Sequence, residues 1–309
     1  MINNCPTLIL GSDALLRSKF RSNRNYSEEY IYSIMENAVL NGAQAIDVNI
    51  ESVYVLEAFK RIKGKYPNII GIGDPNMNAG FYMDGVPIKK YEKEIIRYIF
   101  DFCLTPQDKS LFIRKSGEYK ENFFNLSSCD ALFVRENINR ISLDENRWMQ
   151  RIVQLSSCCE FCLFGADYAD WLTAIGRFDL LKYQADSIVA CGMMPISISH
   201  WSGLTIPQLD RIQSVKYHCV LANEDCILTE PDDIYGLIKD SSSTFIGFRT
   251  MRGLGRYFSI DNAFNFMTKK LGLSHFIVGA STTPDVTGRL FYGIKSWLIE
   301  NNLFERYDE

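Results

Sequence analysis

Short runs of apolar and β-branched residues recur along the chain and alternate with longer amphipathic stretches. Apolar runs bounded by polar turns are typical of parallel strands that are covered on both faces. Nine runs are predicted as strands, at residues 7–11, 44–50, 68–73, 131–136, 160–165, 195–199, 217–222, 244–249 and 275–280. Because helical stretches separate them, the pattern predicts βα units and a parallel sheet.

Two of the intervening stretches carry clear helix signals. Residues 25–42 repeat apolar residues at the helical period, with Ser27 as a cap and Gly42 as a stop. Residues 259–272 have the same period and end at Gly272. Both helices lie between predicted strands, as βα units require.

The length of the chain is compatible with one α/β barrel. A chain of 309 residues suits a TIM (β/α)8 barrel with an insertion, although two domains or an open doubly wound sheet are alternatives. No G-x-G-x-x-G follows a predicted strand, which disfavours the open dinucleotide-binding sheet. We therefore predict a single barrel domain over 1–309. Its least regular part, 74–130, is predicted to be an insertion or lid, with a hairpin turning at Ser116 and Gly117.

Composition excludes several classes of protein. The apolar fraction of 47% and the charged fraction of 23% are those of an ordinary globular chain. A net charge of −4 argues against a nucleic-acid partner. No apolar run approaches the roughly 18 residues of a membrane span, and the N-terminus lacks the pattern of a signal peptide. We expect a cytoplasmic protein that acts on a small molecule.

The nine cysteines lie mostly inside apolar runs and are odd in number. Buried, reduced cysteine behaves as a small hydrophobic residue, so no disulfide framework is predicted and the compartment is expected to be reducing. Cys158, Cys159 and Cys162 form a cluster, but no second cysteine or histidine pair follows to complete a zinc site. We assign no metal ligand among them.

Three segments together resemble the aldo-keto reductase superfamily. They are NGAQAIDVNI at 41–50, TFIGFRTMRGLGR at 244–256 and LGLSHFIVGASTTPDV at 271–286. The match is clearest at 27–50 and 244–287. The resemblance implies a barrel of that family with a catalytic tetrad. In this tetrad Asp47 is the aspartate, and Tyr54 is the tyrosine that donates a proton.

The other two tetrad residues, a lysine and a histidine, are not found. If 68–73 is the third strand, the lysine position falls on Asp74 and the histidine position on Arg135. If 131–136 is the third strand, these positions fall on Arg135 and Phe164. The resemblance therefore implies an altered tetrad, in which proton transfer needs another residue.

On the cofactor side the resemblance implies NADP, held by its phosphate after the seventh and eighth strands. Backbone N–H groups at a helix start form an anion site, and arginines add positive charge. The residues expected to bind the cofactor are Asn223, Arg249, Arg252, Arg256, Gly279, Ser281 and Thr282. A plainer interpretation is that the two hydroxyl residues only cap a helix and that the arginines form a solvated face.

Function in a barrel is carried by residues at the C-terminal ends of the strands. His200, which follows a predicted strand, is the best acid–base candidate because histidine titrates near neutral pH. Asp47 and Glu51 could share one strand end and act as a base or bind a divalent ion. The polar residues at these ends are Asp13, Asp47, Asn49, Glu51, Arg135, Glu136, Asp167, His200, Asn223 and Arg249.

Three functions remain open from the sequence. The first is an aldo-keto reductase-like enzyme acting on a small polar metabolite, with NADP as its cofactor. The second is a non-redox isomerase or lyase on the same barrel, using His200 with Asp47 or Glu51. The third is a barrel that binds a ligand or partner without catalysis. Residues 41–50 are also similar to the strand motif of pterin-binding methyltransferase barrels, in which Asp and Asn hold the pterin.

Overall fold

The computed structural model of the protein describes residues 5–16, 26–75, 80–118, 133–165, 167–223, 229–251, 259–279 and 283–304. Its strands, in chain order, are β1 (Leu8–Gly11), β2 (Ala45–Asn49), β3 (Ile70–Asp74), β4 (Phe81–Met83), β5 (Val86–Pro87), β6 (Ile141–Leu143), β7 (Phe161–Phe164), β8 (Met194–Ser199), β9 (Tyr217–Leu221), β10 (Thr244–Phe248) and β11 (His275–Gly279).

Eight of these strands close a parallel barrel in the order β1-β2-β3-β7-β8-β9-β10-β11, and β11 pairs back onto β1. Helices connect successive strands, so the chain is an α/β barrel of the TIM type, as predicted. The α-helices are α1 (Glu28–Leu40), α2 (Val53–Lys65), α3 (Glu92–Tyr98), α4 (Pro106–Glu118), α5 (Arg135–Ile138), α6 (Glu145–Ser156), α7 (Asp167–Ala174), α8 (Phe178–Ala190), α9 (Ser202–Leu209), α10 (Pro231–Asp240), α11 (Ile260–Asn265) and α12 (Pro284–Glu300).

The barrel strands are buried on both faces. Alternate residues, such as Ile9 and Ala45, form an apolar cluster inside the barrel, whereas Leu8 and Ile46 belong to the larger cluster that packs against the helices. Burial of both faces explains why the sequences of the barrel strands are predominantly apolar. Among the described residues, no helix is long and apolar enough to cross a membrane.

The predicted helix signals of α1 are confirmed. The hydroxyl of Ser27 accepts a hydrogen bond from the backbone N–H of Tyr30 at 3.2 Å, which caps the first turn. Gly42 follows the helix with a φ of 115°, a backbone conformation that residues other than glycine rarely adopt. Gly272 similarly ends the segment that begins with α11, with a φ of 76°.

Eight of the nine predicted strands are confirmed, and the ninth, 131–136, is wrong. Residues 131 and 132 lie outside the described residues, and Arg135 begins the short helix α5. The side-chain oxygen of Asn137 accepts the backbone N–H of Val134 at 2.8 Å. This local hydrogen bond satisfies the backbone N–H of Val134, which in a sheet would donate to a neighbouring strand. The bond instead stabilises the first turn of a helix.

The predicted hairpin at Ser116 and Gly117 is also wrong, because both residues belong to α4. The helix starts at Pro106, and just before it Thr105 and Asp108 cap each other. The Thr105 hydroxyl accepts the Asp108 N–H at 3.1 Å, while the Asp108 carboxylate accepts the Thr105 hydroxyl at 2.6 Å. This reciprocal cap satisfies donors at the start of the helix, which continues through Gly117.

The connection from β3 to β7 is the longest between neighbouring barrel strands. It contains a three-stranded antiparallel sheet in the order β5-β4-β6, together with α3, α4, α5 and α6. Phe81 packs edge-on against Tyr168 of α7, and Phe112 of α4 packs against Trp201, with ring centroids 5.5 and 5.7 Å apart. The connection therefore contacts the segments that follow β7 and β8, beside the C-terminal end of the barrel.

Candidate functional site

Polar side chains project inward at the C-terminal mouth of the barrel. Side chains alternate along each strand, so residues two positions apart share a face. Ile196 and Ile198 lie in the inner apolar cluster, which places His200 on the inner face of β8. By the same alternation Asp47 follows Ala45, and Asp74 follows Ile72. The lower barrel is thus apolar, and its upper rim is acidic and polar.

Three carboxylates meet where β1, β2 and β3 end. One ligand atom each from Asp13, Asp47 and Asp74 lies within 4.8 Å of the others. Asp47 and Asp74 are buried, whereas Asp13 is half-buried. The three strands are neighbours in the barrel, so parallel pairing alone brings these ends together.

Burial dominates the electrostatics of Asp47. It raises the pKa of this carboxyl well above the ordinary value of 3.8, and the charges of Asp74 and Asp13 raise it further. Hydrogen bonds from the backbone N–H and hydroxyl of Ser12 to Oδ2, at 3.2 and 3.4 Å, act in the opposite direction. The other oxygen, Oδ1, is buried and has no hydrogen-bond partner among the described residues.

Asn49 links the three strand ends. Its side-chain N–H groups donate to Asp74 Oδ2 at 2.7 Å and to Asp13 Oδ1 at 3.3 Å. Its backbone N–H donates to the Ser12 hydroxyl at 3.3 Å, and its side-chain oxygen accepts the N–H of Glu51 at 2.9 Å. Asn49 is fully buried. It therefore fixes the orientation of two carboxylates with a neutral side chain.

His200 forms a second polar centre together with Asp170 of α7. The ring nitrogen Nδ1 lies 3.8 Å from Asp170 Oδ2, and both side chains are almost completely buried. Asp170 also accepts the hydroxyl of Ser199 and the backbone N–H of His200, each at 2.9 Å. Burial raises the pKa of Asp170 to about 6, although these hydrogen bonds lower it.

The structure brings only some of the predicted catalytic residues to the mouth. Asp47 and His200 lie there. Tyr54 is on α2 with half of its side chain exposed, and Arg135 is exposed at the start of α5. Glu51, the alternative carboxylate, is exposed just beyond β2.

Both proposed alignments of the tetrad need correction. The third barrel strand is Ile70–Asp74 and the fourth is Phe161–Phe164. If the chain followed the aldo-keto reductase pattern, the lysine position would fall on Asp74, as in the first alignment, and the histidine position on Phe164, as in the second. Neither alignment is right as a whole, because 131–136 was counted as a barrel strand. An Asp in place of Lys would raise a neighbouring tyrosine pKa rather than lower it.

The predicted cofactor residues divide between described and undescribed parts of the chain. Asn223 is buried just after β9, Arg249 directly follows β10, and Gly279 ends β11. Arg249 has a φ of 56°, which is uncommon for a residue with a side chain. Arg252, Arg256, Ser281 and Thr282 lie outside the described residues.

One important residue of the site was missed by the sequence interpretation. Asp170 lies within the apolar stretch of α7, where Ala169, Trp171 and Leu172 are buried. An acidic residue on the buried face of a helix is rare unless it has partners. That anomaly was the available signal.

Comparisons with known proteins assign no family to the chain. No protein-family model matches the chain, and no curated protein sequence does. Among solved structures, a candidate aldo-keto reductase from Pseudomonas aeruginosa aligns with a TM-score of 0.46 and 11% identity, covering 93% of this chain and 89% of its own.

Two other solved structures align to a similar degree. A sugar phosphate isomerase/epimerase from Parabacteroides distasonis has a TM-score of 0.45 and 11% identity, covering 96% of this chain and 99% of its own. The 2-keto-3-deoxy-6-phosphogluconate aldolase of Zymomonas mobilis has a TM-score of 0.46 and 11% identity, covering 94% and 90%.

Proposed function

We propose that the protein is an acid–base enzyme of isomerase or lyase type that acts on a small polar metabolite. The observation that carries this proposal is the His200–Asp170 pair, buried at the C-terminal end of β8 where barrel enzymes place their chemistry. Histidine changes protonation near neutral pH, and a carboxylate beside it favours its protonated form. His200 is therefore the proton-transferring residue, and Asp170 positions it.

The surroundings of His200 suit proton transfer. Its ring meets the Phe248 ring edge-on, with centroids 5.3 Å apart, so an apolar wall limits access of water on that side. Asp170 is held by Ser199 and by the backbone of the same strand end, so its carboxylate cannot swing away. Asp47 lies on the same rim of the barrel but at the end of β2, which is not a neighbour of β8.

Solvent isotope exchange tests this proposal. The protein is incubated in D2O with a panel of hydroxy-ketones, aldoses, sugar phosphates and 2-keto acids, and deuterium at the carbon next to the carbonyl is followed by NMR. We expect exchange with the wild type and a loss of about 100-fold or more in His200→Gln. His275→Gln is the matched control, because His275 lies at the start of β11, where its Nδ1 is 3.2 Å from the Pro6 carbonyl oxygen. Equal exchange by both variants would refute the role of His200.

A second candidate is the NADP-dependent reduction that the aldo-keto reductase resemblance implies. Two adjacent strand ends favour it. Arg249 keeps a left-handed backbone at the end of β10, and such strain is found where function requires it. At the end of β11, a Cβ added to Gly279 would meet no atom of the described residues within 4 Å, which leaves room among them for a ligand beside the backbone.

Fluorescence titration with NADPH and NADH tests the second candidate. Saturable binding that is lost in Arg249→Ala would place the cofactor at β10 and β11, and His200 would then be the replacement proton donor. Arg140→Ala is the control, because Arg140 pairs with Asp84 on the exposed surface of the β3–β7 connection. No binding at millimolar cofactor would eliminate reduction and leave the isomerase or lyase proposal.

A further inference from the structure

The spacing of Asp13, Asp47 and Asp74 matches the coordination shell of one metal ion. Oxygen ligands lie about 2.1 Å from Mg²⁺ and roughly 2.3–2.6 Å from Ca²⁺, so two ligands on opposite sides of an ion are about 4–5 Å apart. The three carboxylates offer ligand atoms within 4.8 Å of one another. A single ion could therefore contact all three.

An acidic cluster alone would be weak support, but Asp47 adds a second observation. Only 6% of this residue is exposed, and its Oδ1 has no hydrogen-bond partner among the described residues. A buried carboxylate oxygen without a donor is costly, and native structures normally satisfy such atoms. Asp47 projects into the barrel mouth in phase with Ala45, and the charges of Asp13 and Asp74 act on it. A cation between the three groups would supply the missing partner.

The neighbouring side chains hold the carboxylates in place without neutralising them. Ser12 fixes Oδ2 of Asp47, and the amide of Asn49 fixes one oxygen each of Asp13 and Asp74. Both Ser12 and Asn49 are uncharged. Metal ligands in proteins are usually oriented by hydrogen bonds of this kind from a surrounding shell.

A nearby arginine compensates only part of the negative charge. Arg151 of α6 donates a hydrogen bond to the carbonyl oxygen of Pro75. Burial lowers the pKa of Arg151, and the charge of Asp74 acts in the opposite direction. Among the described residues, this guanidinium is one positive charge against the three carboxylates. The all-oxygen donor set favours a hard cation over a thiophilic one.

We propose that Asp13, Asp47 and Asp74 bind one divalent cation of the oxygen-preferring class that includes Mg²⁺ and Mn²⁺. Asp47 supplies the buried Oδ1, and Asn49 acts as the positioning residue. The site lies at the barrel mouth but uses neither His200 nor Asp170. The proposal therefore goes beyond the acid–base function and can fail or succeed independently of it.

Binding of Mn²⁺ to the full chain tests the site. The protein is treated with EDTA, dialysed, and titrated with Mn²⁺ while the EPR signal of free aqueous Mn²⁺ is recorded. We expect about one Mn²⁺ per chain, displaced by excess Mg²⁺, and binding weakened about tenfold or more in Asp47→Asn and in Asp13→Asn. Asp240→Asn, an exposed residue at the end of α10, is the matched control and should bind as the wild type does.

Two variants keep the outcome decisive. Asp13 is only half-buried, so Asp13→Asn tests the site if Asp47→Asn fails to fold. His200→Gln should retain Mn²⁺ binding, which separates this proposal from the acid–base function. Absence of Mn²⁺ binding to the wild type at millimolar concentration, or unchanged binding in folded Asp47→Asn or Asp13→Asn, would overturn the proposal.

Discussion

The side-chain amide of Asn49 donates a 2.7 Å hydrogen bond to the carboxylate of Asp74, and so joins the ends of two neighbouring barrel strands. Both side chains are buried, so this bond is formed away from bulk water. A hydrogen bond to a charged group contributes more than one between neutral groups, about 1.5–3 kcal/mol. The acidic mouth of the barrel therefore depends on a neutral amide at its centre.

Replacement of Asn49 by Asp should destabilise the protein strongly. The change keeps the shape of the side chain but turns a donor into an acceptor, and it places a fourth carboxyl group next to three others. We expect the free energy of unfolding at pH 8 to fall by about 2 kcal/mol or more, as measured by urea denaturation. The control is Asn139→Asp on the exposed end of α5, which should be nearly neutral. Similar stabilities of the two variants would contradict the central role of Asn49.

Asp170 should make the protein less stable as the pH rises. Burial raises its folded pKa from 3.8 to about 6, so the stability linked to its protonated form is present below pH 4 and is lost as the pH rises through about 6. Asp170→Asn cannot titrate. Its stability relative to the wild type should therefore improve between pH 4 and pH 7, by up to about 3 kcal/mol.

Urea denaturation of wild type and Asp170→Asn at pH 4, 5, 6 and 7 checks this prediction. Groups that titrate alike in both proteins cancel in the difference, so the pH dependence that remains comes from residue 170 and from groups in contact with it. Lost hydrogen bonds would lower the stability of the variant by a similar amount at each pH. A difference that stays constant across the series would show that Asp170 does not titrate in this range.

Asp210 should make the protein less stable as the pH falls, the opposite of the effect expected for Asp170. Its carboxylate accepts a 2.8 Å hydrogen bond from Nε2 of the fully buried His218, and this contact lowers the pKa of Asp210 below 3.8. A lowered folded pKa contributes stability above the unfolded pKa, and that contribution is lost as the pH falls through the folded value. Thermal unfolding between pH 2.5 and 5 should therefore depend less on pH in Asp210→Asn than in the wild type. Asp240→Asn, on the exposed end of α10, should keep the wild-type slope.

The barrel could be predicted from the sequence because each of its strands is buried on both sides. Runs such as 68–73 and 217–222 are mostly apolar, as parallel strands covered on both faces require, and the absence of a G-x-G-x-x-G after a strand favoured the barrel over an open sheet. The segment 131–136 carries a similar run, but Asn137 caps the backbone of Val134 and starts a helix there. The periodicity of apolar residues in a sequence does not reveal a single hydrogen bond of this kind between a side chain and the backbone.

The candidate site was predictable only where it follows a strand. Asp47 and His200 continue the inward alternation of β2 and β8, so their positions could be assigned once the strands were known. Asp170 reaches His200 from a helix, and no spacing in the sequence indicates that contact. The convergence of Asp13 with Asp74 depends on which strands pair, which only the closed order of the barrel determines.

Cys158 should react faster near neutral pH than Cys103, another cysteine that the structure describes. Its pKa is lowered from 9.0 to about 7, first by a hydrogen bond with Cys159, whose sulfur lies 3.9 Å away, and then by Ser157, Lys60 and Lys63. Burial raises the pKa of Cys103, and that thiol should react more slowly. Because the thiolate is the nucleophile, the rate of alkylation should follow ionisation.

Alkylation by iodoacetamide between pH 5.5 and 9.5, followed peptide by peptide by mass spectrometry, measures this ionisation. The rate at Cys158 should reach half of its maximum near pH 7. Cys159→Ala should move that midpoint upward, toward the ordinary value of 9.0, because the strongest stabilising contact of the thiolate is removed. Cys103→Ser serves as the control and should leave it unchanged. A midpoint near 9 in the wild type, or one that does not respond to Cys159→Ala, would mean that the neighbouring thiol does not stabilise the thiolate of Cys158.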